Sequence, residues 1–280
     1  MICHVLGTVQ DGGFPHLGCR KECCKKAWKN NDFKKHPSSI SIIDEDSKKY
    51  WIFDVSPDIK YQLQMLDKYD CQLAGVFVTH AHYGHYSGLL EFGLEVGNQK
   101  KIPVYVMPQM YDFLYNNFPF KFLHKNQHIE LIQINNKISL LDNKLIIDSF
   151  LVPHRNEFSE TVGFKIRSQE KSIIYLPDID NFDNSYFNIV DLIKKNDVIF
   201  LDGTFYNKKE INNRDISKIP HPFIEDTMKL LKNLSDNDKK KINFIHFNHT
   251  NPVLQNGSIE QKNILKSKYS ISNENNVLYL

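Results

Sequence analysis

The sequence predicts an α/β (α+β) fold in which two sheets are covered by helices, and three observations support this prediction. Short β-branched runs alternate with turns and helical stretches along the whole chain. Neither an internal repeat nor a Pro/Ser-rich linker divides the sequence, so residues 1–280 are expected to form a single domain. Histidine and aspartate residues directly follow several apolar runs, which is typical of sites built at the edge of a sheet.

Ten short runs rich in Val, Ile, Phe and Tyr predict strands, because turn residues bound each of them. In chain order they are Ile2–Leu6, Ser39–Ile43, Tyr50–Val55, Gly75–Thr79, Val104–Met107, Lys144–Val152, Thr161–Arg167, Ser172–Leu176, Val198–Leu201 and Asn243–Phe247. Five stretches with apolar residues at helical spacing predict helices between them. These are Pro57–Leu66, His85–Val96, Gln109–Asn117, Phe187–Lys195 and Pro222–Lys232. Strands in runs with helices between them favour two sheets covered by helices.

Composition limits the classes of partner. The apolar fraction is 41%, the charged fraction 24% and the formal net charge +2, so a nucleic-acid partner is not expected. The chain lacks an apolar run of the ~18 residues that a membrane span needs, and its start does not resemble a signal peptide. These features predict a cytoplasmic protein with a small-molecule substrate, and they leave a homodimer open.

The candidate site residues stand where predicted strands stop. They are His80, His154, Asp178, Asp202 and His246. Strands that share a sheet present their ends along one edge, so these side chains are expected to meet there.

Three imidazoles within six residues give the strongest local signal. His80 and His82 are two apart and point the same way in an extended segment, and His85 follows at a predicted helix start. Burying three imidazoles is costly without a ligand, and neutral imidazole suits both zinc and iron. An exposed His-rich loop is the alternative, but an apolar strand before the motif and a helix after it favour a metal site.

A cysteine cluster indicates a second metal site. Cys19, Cys23 and Cys24 lie within six positions, and clustering in a reducing compartment is typical of metal binding rather than of disulfides. Three thiolates need a fourth donor for tetrahedral zinc. His246 and His249 are three apart and can face different directions, so one can serve each site. Three unligated thiols are the alternative.

The segment Thr79–His85 resembles the His-x-His-x-Asp-His motif of the metallo-β-lactamase superfamily. The resemblance implies a four-layer αββα sandwich with His80, His82 and His154 on one metal. It implies that Asp178 bridges to a second metal, bound also by His85 and His246. The sequence departs from the family at Gly84, where the motif has an Asp that binds the second metal. That departure leaves the second site three protein ligands at most.

Two branches of the superfamily are similar over nearly the full chain: the pyrroloquinoline-quinone synthesis protein B family and the phosphonate-pathway cyclic phosphodiesterases. The matching elements are Gly-Thr-x-Gln-Asp-Gly-Gly at 7–13, the cysteine cluster, Asp-Gly-Thr at 202–204, His221 and His-x-Asn-His-Thr-Asn-Pro at 246–252. The Asp-Gly-Thr and Thr-Asn-Pro elements favour the quinone-synthesis branch. The resemblance implies a structural zinc on Cys19, Cys23, Cys24 and His249. The cysteine spacing departs from Cys-x-Cys-x-x-Cys, which leaves open which thiols bind.

The predicted function is hydrolysis of an ester, phosphodiester or related bond by metal-bound hydroxide. Asp178 would fix water and metal, Asp202 would orient a ligand histidine or shape a turn, and His221 would donate a proton or contact substrate, unless it is a surface loop residue. Asp54 resembles the family's buried loop-tethering aspartate. Zinc is the expected metal, with Fe²⁺ or Mn²⁺ as alternatives at the catalytic site. The alternative functions are an iron- and oxygen-dependent oxidase or hydroxylase in quinone-cofactor synthesis, and a non-catalytic carrier of small molecules.

Overall fold

Two seven-stranded sheets organise the molecule. The structure, a computed structural model, describes residues 1–183, 186–211 and 220–280. The strands are β1 (Ile2–Gly7), β2 (Ser39–Asp44), β3 (Lys49–Phe53), β4 (Gln72–Phe77), β5 (Ile102–Val106), β6 (Ile129–Gln133), β7 (Lys137–Leu140), β8 (Leu145–Leu151), β9 (Val162–Arg167), β10 (Ser172–Leu176), β11 (Val198–Asp202), β12 (Ile242–Ile245), β13 (Ser270–Ile271) and β14 (Val277–Tyr279). The first sheet has the order β14-β1-β2-β3-β4-β5-β6, and the second has the order β13-β12-β11-β10-β9-β8-β7.

Helices cover the outer faces of both sheets. They are α1 (Glu22–Lys29), α2 (Ile59–Gln64), α3 (Tyr83–Tyr86), α4 (Pro108–Asn116), α5 (Phe120–Lys125), α6 (Ile189–Lys194), α7 (Ile224–Leu230), α8 (Asp236–Lys240) and α9 (Ile259–Lys266). One apolar cluster joins α2, α4 and α5 to the first sheet, a second joins α6, α7 and α9 to the other sheet, and a third lies between the sheets. The predicted α/β (α+β) fold, a four-layer αββα sandwich, is therefore confirmed.

Aromatic packing holds the two sheets together. The rings of Phe53 and Phe77 on the first sheet stack at 4.9 Å, and Phe164 of the second sheet meets them edge-on at 5.5 and 5.7 Å. All three side chains are buried, and burial of each contributes about 2–3 kcal/mol. This packing brings the strand ends of both sheets to a common edge.

Strand direction decides which ends meet there. β10, β11 and β12 are parallel, and β8 runs the same way because β9 is antiparallel to both β8 and β10. The carboxyl ends of these strands therefore lie along one edge of the second sheet. In the first sheet, β3 and β4 are also parallel, so the chain leaves β4 beside the chain leaving β3.

The predicted helix His85–Val96 is wrong in extent. The chain forms one α-helical turn, Tyr83–Tyr86, and then a 3-10 helix, Ser87–Phe92. The amide of Gly88 donates to the carbonyl of Val55 (3.0 Å) instead of continuing the helix. A Cβ at Gly88 would overlap the Ser56 carbonyl, so close packing of two loops overrides the helical periodicity.

Several elements lie outside the predicted set: β6, β7, β13, β14, α1, α5, α8 and α9. β13 and β14 have only two and three residues and complete the sheet edges through pairing with β12 and β1, respectively. Such short segments carry little periodic signal, so only the partner strand defines them. Among the residues that the structure describes, no helix has the length and apolar character needed to cross a membrane.

Candidate metal centre

The loops after β4, β8 and β10 place four donors side by side. His80 and His82 follow β4, His154 follows β8, and Asp178 follows β10. One ligand atom of each lies within 4.8 Å of the others, and we call these four residues the first cluster. The structure thus brings together the four residues that the sequence assigned to the first metal and its bridging carboxylate.

Distances within the first cluster suit a metal ion. A tetrahedral ion with bonds of about 2.05 Å to its ligands needs donors roughly 3.3 Å apart. Oδ2 of Asp178 lies 3.4 Å from Nε2 of His80 and 3.3 Å from Nε2 of His154. Nδ1 of His82 lies 3.1 Å from Nε2 of His154. These donors therefore already have the spacing of ligands around one small cation.

A second cluster, formed by His85 and His246, adjoins the first and shares Asp178 with it. Oδ2 of Asp178 lies 4.0 Å from Nε2 of His85 and 3.9 Å from Nε2 of His246. Asp178 thus stands between the two clusters, where a bridging carboxylate would stand. Asp11, which the sequence did not assign to the site, lies within 4.8 Å of both histidines through its own carboxylate.

Polar partners hold the ring nitrogens that face away from the centre. The pairs are His80 with Thr79 (2.9 Å), His85 with Asp54 (2.7 Å), His154 with Asp180 (2.7 Å) and His246 with Thr204 (2.9 Å). Such partners fix the tautomer and the ring orientation of a metal-binding imidazole. Asp54 also accepts the amide of Thr79 (2.8 Å), which agrees with its predicted tethering role. The sequence did not assign Asp180 or Thr204, although each stands two residues from a candidate aspartate.

The atoms that face the centre are buried and lack hydrogen-bond partners within the described part of the chain. They are Nε2 of His80, His85 and His246, Oδ1 of Asp178 and Oδ1 of Asp11. Unsatisfied buried polar atoms are rare and costly, so their concentration at one point indicates a cation-binding site. Imidazole and carboxylate donors suit Zn²⁺, Fe²⁺ and Mn²⁺. The residues present therefore fit the metals that the sequence predicted.

A proton on His154 offsets the negative charge of the carboxylates beside it. Burial opposes charge on His154, but Asp178 and Asp180 raise the pKa of its imidazole to about 10. A metal that uses Nε2 of His154 must displace that proton, so metal binding at this centre is expected to release protons.

His221 and Asp202 form a pair beside the shared carboxylate. Nδ1 of His221 donates to Oδ2 of Asp202 (2.8 Å) and lies 3.4 Å from Oδ1 of Asp178. His221 is only 8% exposed, so it is not a surface loop residue. Asp202 also accepts the amides of Ile179 (3.1 Å) and Thr204 (2.8 Å). The carboxylate of Asp202 therefore shapes its own turn and orients the imidazole of His221. His221 is not one of the six residues that the sequence assigned as metal ligands of the centre.

The cysteine cluster forms a separate set of donors. One ligand atom each of Cys19, Cys23, Cys24 and His249 lies within 4.8 Å of the others. Sγ of Cys23 lies 3.8 Å from Sγ of Cys19 and 4.0 Å from Sγ of Cys24, against roughly 3.8 Å for thiolates around tetrahedral zinc. All three thiols and His249, rather than His246, are thus placed for this site. Burial raises the pKa of the Cys24 thiol to about 12, so its thiolate needs a compensating cation.

Asp180→Asn is expected to weaken metal binding at the first cluster by about 10–100-fold, because a neutral amide holds the Nδ1 proton of His154 less strongly than a carboxylate does. Titration of the metal-free protein with buffered Zn²⁺ measures this change. The matched control is Asp183→Asn, which removes an exposed carboxylate three residues away and should bind as the wild type does. Equal affinities in the two variants would contradict the orienting role.

Comparisons with known proteins agree with this geometry. A family model described as a beta-lactamase superfamily domain matches residues 50–247. Coenzyme PQQ synthesis protein B of Acinetobacter baylyi is 24% identical over 303 aligned positions, covering 97% of each protein. Zn²⁺-bound PqqB from Methylobacterium extorquens has a similar fold, with a TM-score of 0.81, 21% identity and full coverage of both chains. A diphosphatase from the PhnP family gives a TM-score of 0.70 at 19% identity, covering 99% of this chain and 96% of that one.

The matched segment contains both histidine clusters and the shared Asp178, whereas Asp11 and the three cysteines precede it and His249 follows it. The similarity to coenzyme PQQ synthesis protein B extends over these outer residues as well. The chain therefore belongs to the beta-lactamase superfamily, in the branch that resembles coenzyme PQQ synthesis protein B.

Proposed function

We propose that this protein is a metal-dependent hydrolase that cleaves an ester, phosphodiester or related bond of a small molecule. The observation that carries the proposal is the convergence on Asp178 of buried imidazole and carboxylate atoms that have no hydrogen-bond partner among the described residues. His80, His82 and His154 would hold one metal, and His85 and His246 would hold a second that shares Asp178. Zinc held by these residues would lower the pKa of a water molecule to near 7 and would polarise an ester or phosphoryl oxygen.

The residues around the metals would position substrate and move a proton. His221 lies beside Asp178, and Asp202 keeps the proton of the imidazole on Nδ1. Nε2 of His221 is then the atom that exchanges a proton with the reacting group. Because both side chains are buried, bulk water does not compete for that proton. His221 would thus act as the general acid or base, with Asp202 as its positioning residue.

His82→Ala tests the hydrolase directly. The variant is expected to lose the first-cluster metal and hydrolysis of bis(p-nitrophenyl) phosphate and p-nitrophenyl acetate, while it keeps its circular dichroism spectrum, because His82 supplies a ligand and no core packing. Element-resolved metal analysis and turnover are measured together. His124→Ala, a change at a histidine of α5 far along the chain, is the control and should match the wild type. Full metal content and turnover in His82→Ala would refute the proposal.

An iron- and oxygen-dependent oxidase is the second candidate, because the chain resembles a coenzyme PQQ synthesis protein over 97% of its length. Three imidazoles and a shared carboxylate suit Fe²⁺ as well as Zn²⁺. Protein purified without oxygen and loaded with Fe²⁺ distinguishes the two. Oxygen uptake with a tyrosine-derived substrate would favour the oxidase, and ester turnover with zinc would favour the hydrolase.

A non-catalytic carrier of small molecules is the third candidate. It would bind metal and ligand but turn over neither ester nor oxygen with either metal.

From composition we propose a cytoplasmic location, a small-molecule substrate and a single domain over residues 1–280, with a homodimer as the candidate assembly. Light scattering at several concentrations tests the dimer.

A further inference from the structure

We propose that Asp11 is the carboxylate ligand of the second metal, in place of the aspartate that the family motif carries at position 84. The inference rests on the metal centre of the proposed function and completes it. Asp11 reaches the centre from a turn near the start of the chain, 69 positions before His80.

The geometry places Asp11 among the donors of the second cluster. Its Oδ1 lies 3.3 Å from Nε2 of His85 and 3.9 Å from Nε2 of His246. The same oxygen is buried and lacks a hydrogen-bond partner within the described residues, although 31% of the side chain is exposed. Oδ1 thus faces two imidazole nitrogens that likewise have no hydrogen-bond partner in the part of the chain that the structure describes. That is the arrangement of a monodentate metal ligand.

Gly84 is what allows Asp11 to approach. A Cβ at position 84 would lie 2.6 Å from Cα of Asp11 and would also overlap Oδ1 of the same residue. Any side chain at position 84 would therefore displace the turn that carries Asp11. An aspartate at 84 and Asp11 in its present place exclude each other, so the departure from the motif relocates a carboxylate rather than removing one.

Backbone hydrogen bonds tie Asp11 to the segment that supplies His246. The amide of Gln10 donates to the carbonyl of Phe247, and the amide of Phe247 donates to the carbonyl of Thr8, both at 2.9 Å. The amide of Gly13 closes the turn around Asp11 by donating to Gln10 (2.9 Å). Gly13 has a φ of +68°, which favours glycine at that position. Asp11 is thus held in register with one of its two fellow ligands.

The complete second cluster would contain Asp11, His85, His246 and the shared Asp178. Two imidazoles and two carboxylates form a harder donor set than the three imidazoles and one carboxylate of the first cluster. The second site would therefore take a divalent first-row cation and accept Mn²⁺ or Fe²⁺ more readily than the first site does.

Asp11→Asn tests the inference through metal stoichiometry rather than activity. Wild-type protein, dialysed against buffered Zn²⁺, is expected to hold two centre metals besides the cysteine-bound zinc. Asp11→Asn should keep the first-cluster metal and the cysteine-bound zinc, while its affinity for the other centre metal falls at least about 10-fold. Asp58→Asn is the matched control, because Asp58 is an aspartate near the same turn that pairs with His36 instead (3.0 Å).

Gly84→Ala provides an independent test, since it displaces Asp11 without changing a donor atom. Like Asp11→Asn, it should lower the affinity of the second cluster for its metal. The double variant should lose little more of that affinity than either single variant does. Unchanged second-metal affinity in Asp11→Asn, or a single centre metal in the wild type, would overturn the inference. In either case, His82→Ala would still test the hydrolase proposal, because it reports on the first cluster alone.

Discussion

Asp178→Asn is expected to empty both metal clusters and to lower kcat/KM by roughly 10⁴-fold, which corresponds to about 5.4 kcal/mol of transition-state stabilisation. The reason is its position: Oδ2 of Asp178 lies within 4.0 Å of donor atoms on His80, His85, His154 and His246. An amide of the same shape keeps the packing but cannot supply the negative charge that offsets two cations. Metal content and turnover are measured on the same preparation.

Asp148→Asn is the matched control for that experiment. Asp148 lies on β8 and pairs with Arg167 (2.7 Å), so its replacement removes a partly buried carboxylate away from the centre. This variant should retain both metals and full turnover. Retention of two metals in Asp178→Asn would show that the histidines alone hold them, and the bridging role would then be wrong.

The Cys23→Ala variant is expected to lose one zinc and to melt roughly 10 °C lower than the wild type. Its turnover, measured below its own melting temperature, should be largely kept. Structural zinc contributes folding energy, about 10–16 kcal/mol in isolated zinc-finger peptides, but here two core layers persist without it. A net loss of about 3–5 kcal/mol would give that shift in a chain of this size. Cys23 is the residue to replace because its sulfur lies within 4.0 Å of both other sulfur atoms.

Cys71→Ala is the matched control for the cysteine experiment. Cys71 is also partly buried, but its thiol donates to the carbonyl of Tyr69 and lies outside the cluster. It should keep its zinc and melt within a few degrees of the wild type. If Cys23→Ala keeps the wild-type zinc content and melting temperature, the three thiols are unligated, as the alternative interpretation of the sequence held.

Most of the first cluster could be predicted from sequence, because its signals are local. His80, His154 and Asp178 each follow an apolar run whose length and composition predict a buried strand. The three histidines of Thr79–His85 lie close in sequence, so their proximity needs no knowledge of the fold. Spacing along one segment indicated that His246 and His249 serve different sites, and the family resemblance implied which of them serves each. The structure places His249 beside the cysteines and His246 at the centre.

The predicted helix His85–Val96 failed because its apolar periodicity competes with a contact that sequence does not reveal. Gly88 packs against the backbone of the loop after β3, and its amide bonds to Val55 rather than within a helix. The short edge strands β13 and β14 were missed for a related reason. β14 exists through pairing with β1 at the other end of the chain, and β13 pairs with β12 across the intervening helix α9.

The sequence by itself determined the two layers of strand, the histidine and cysteine donors, and the absence of a side chain at position 84. Tertiary structure alone decided that the turn of Asp11 occupies the space of that missing side chain. It also decided that Asp202 accepts a hydrogen bond from His221, and that Asp180 and Thr204 bond to the imidazoles of His154 and His246. Local patterns record the period of a strand or helix and the chemistry of neighbouring residues. Contacts between distant segments depend on how the sheets pack, and the packing energy that selects them is spread over the whole core.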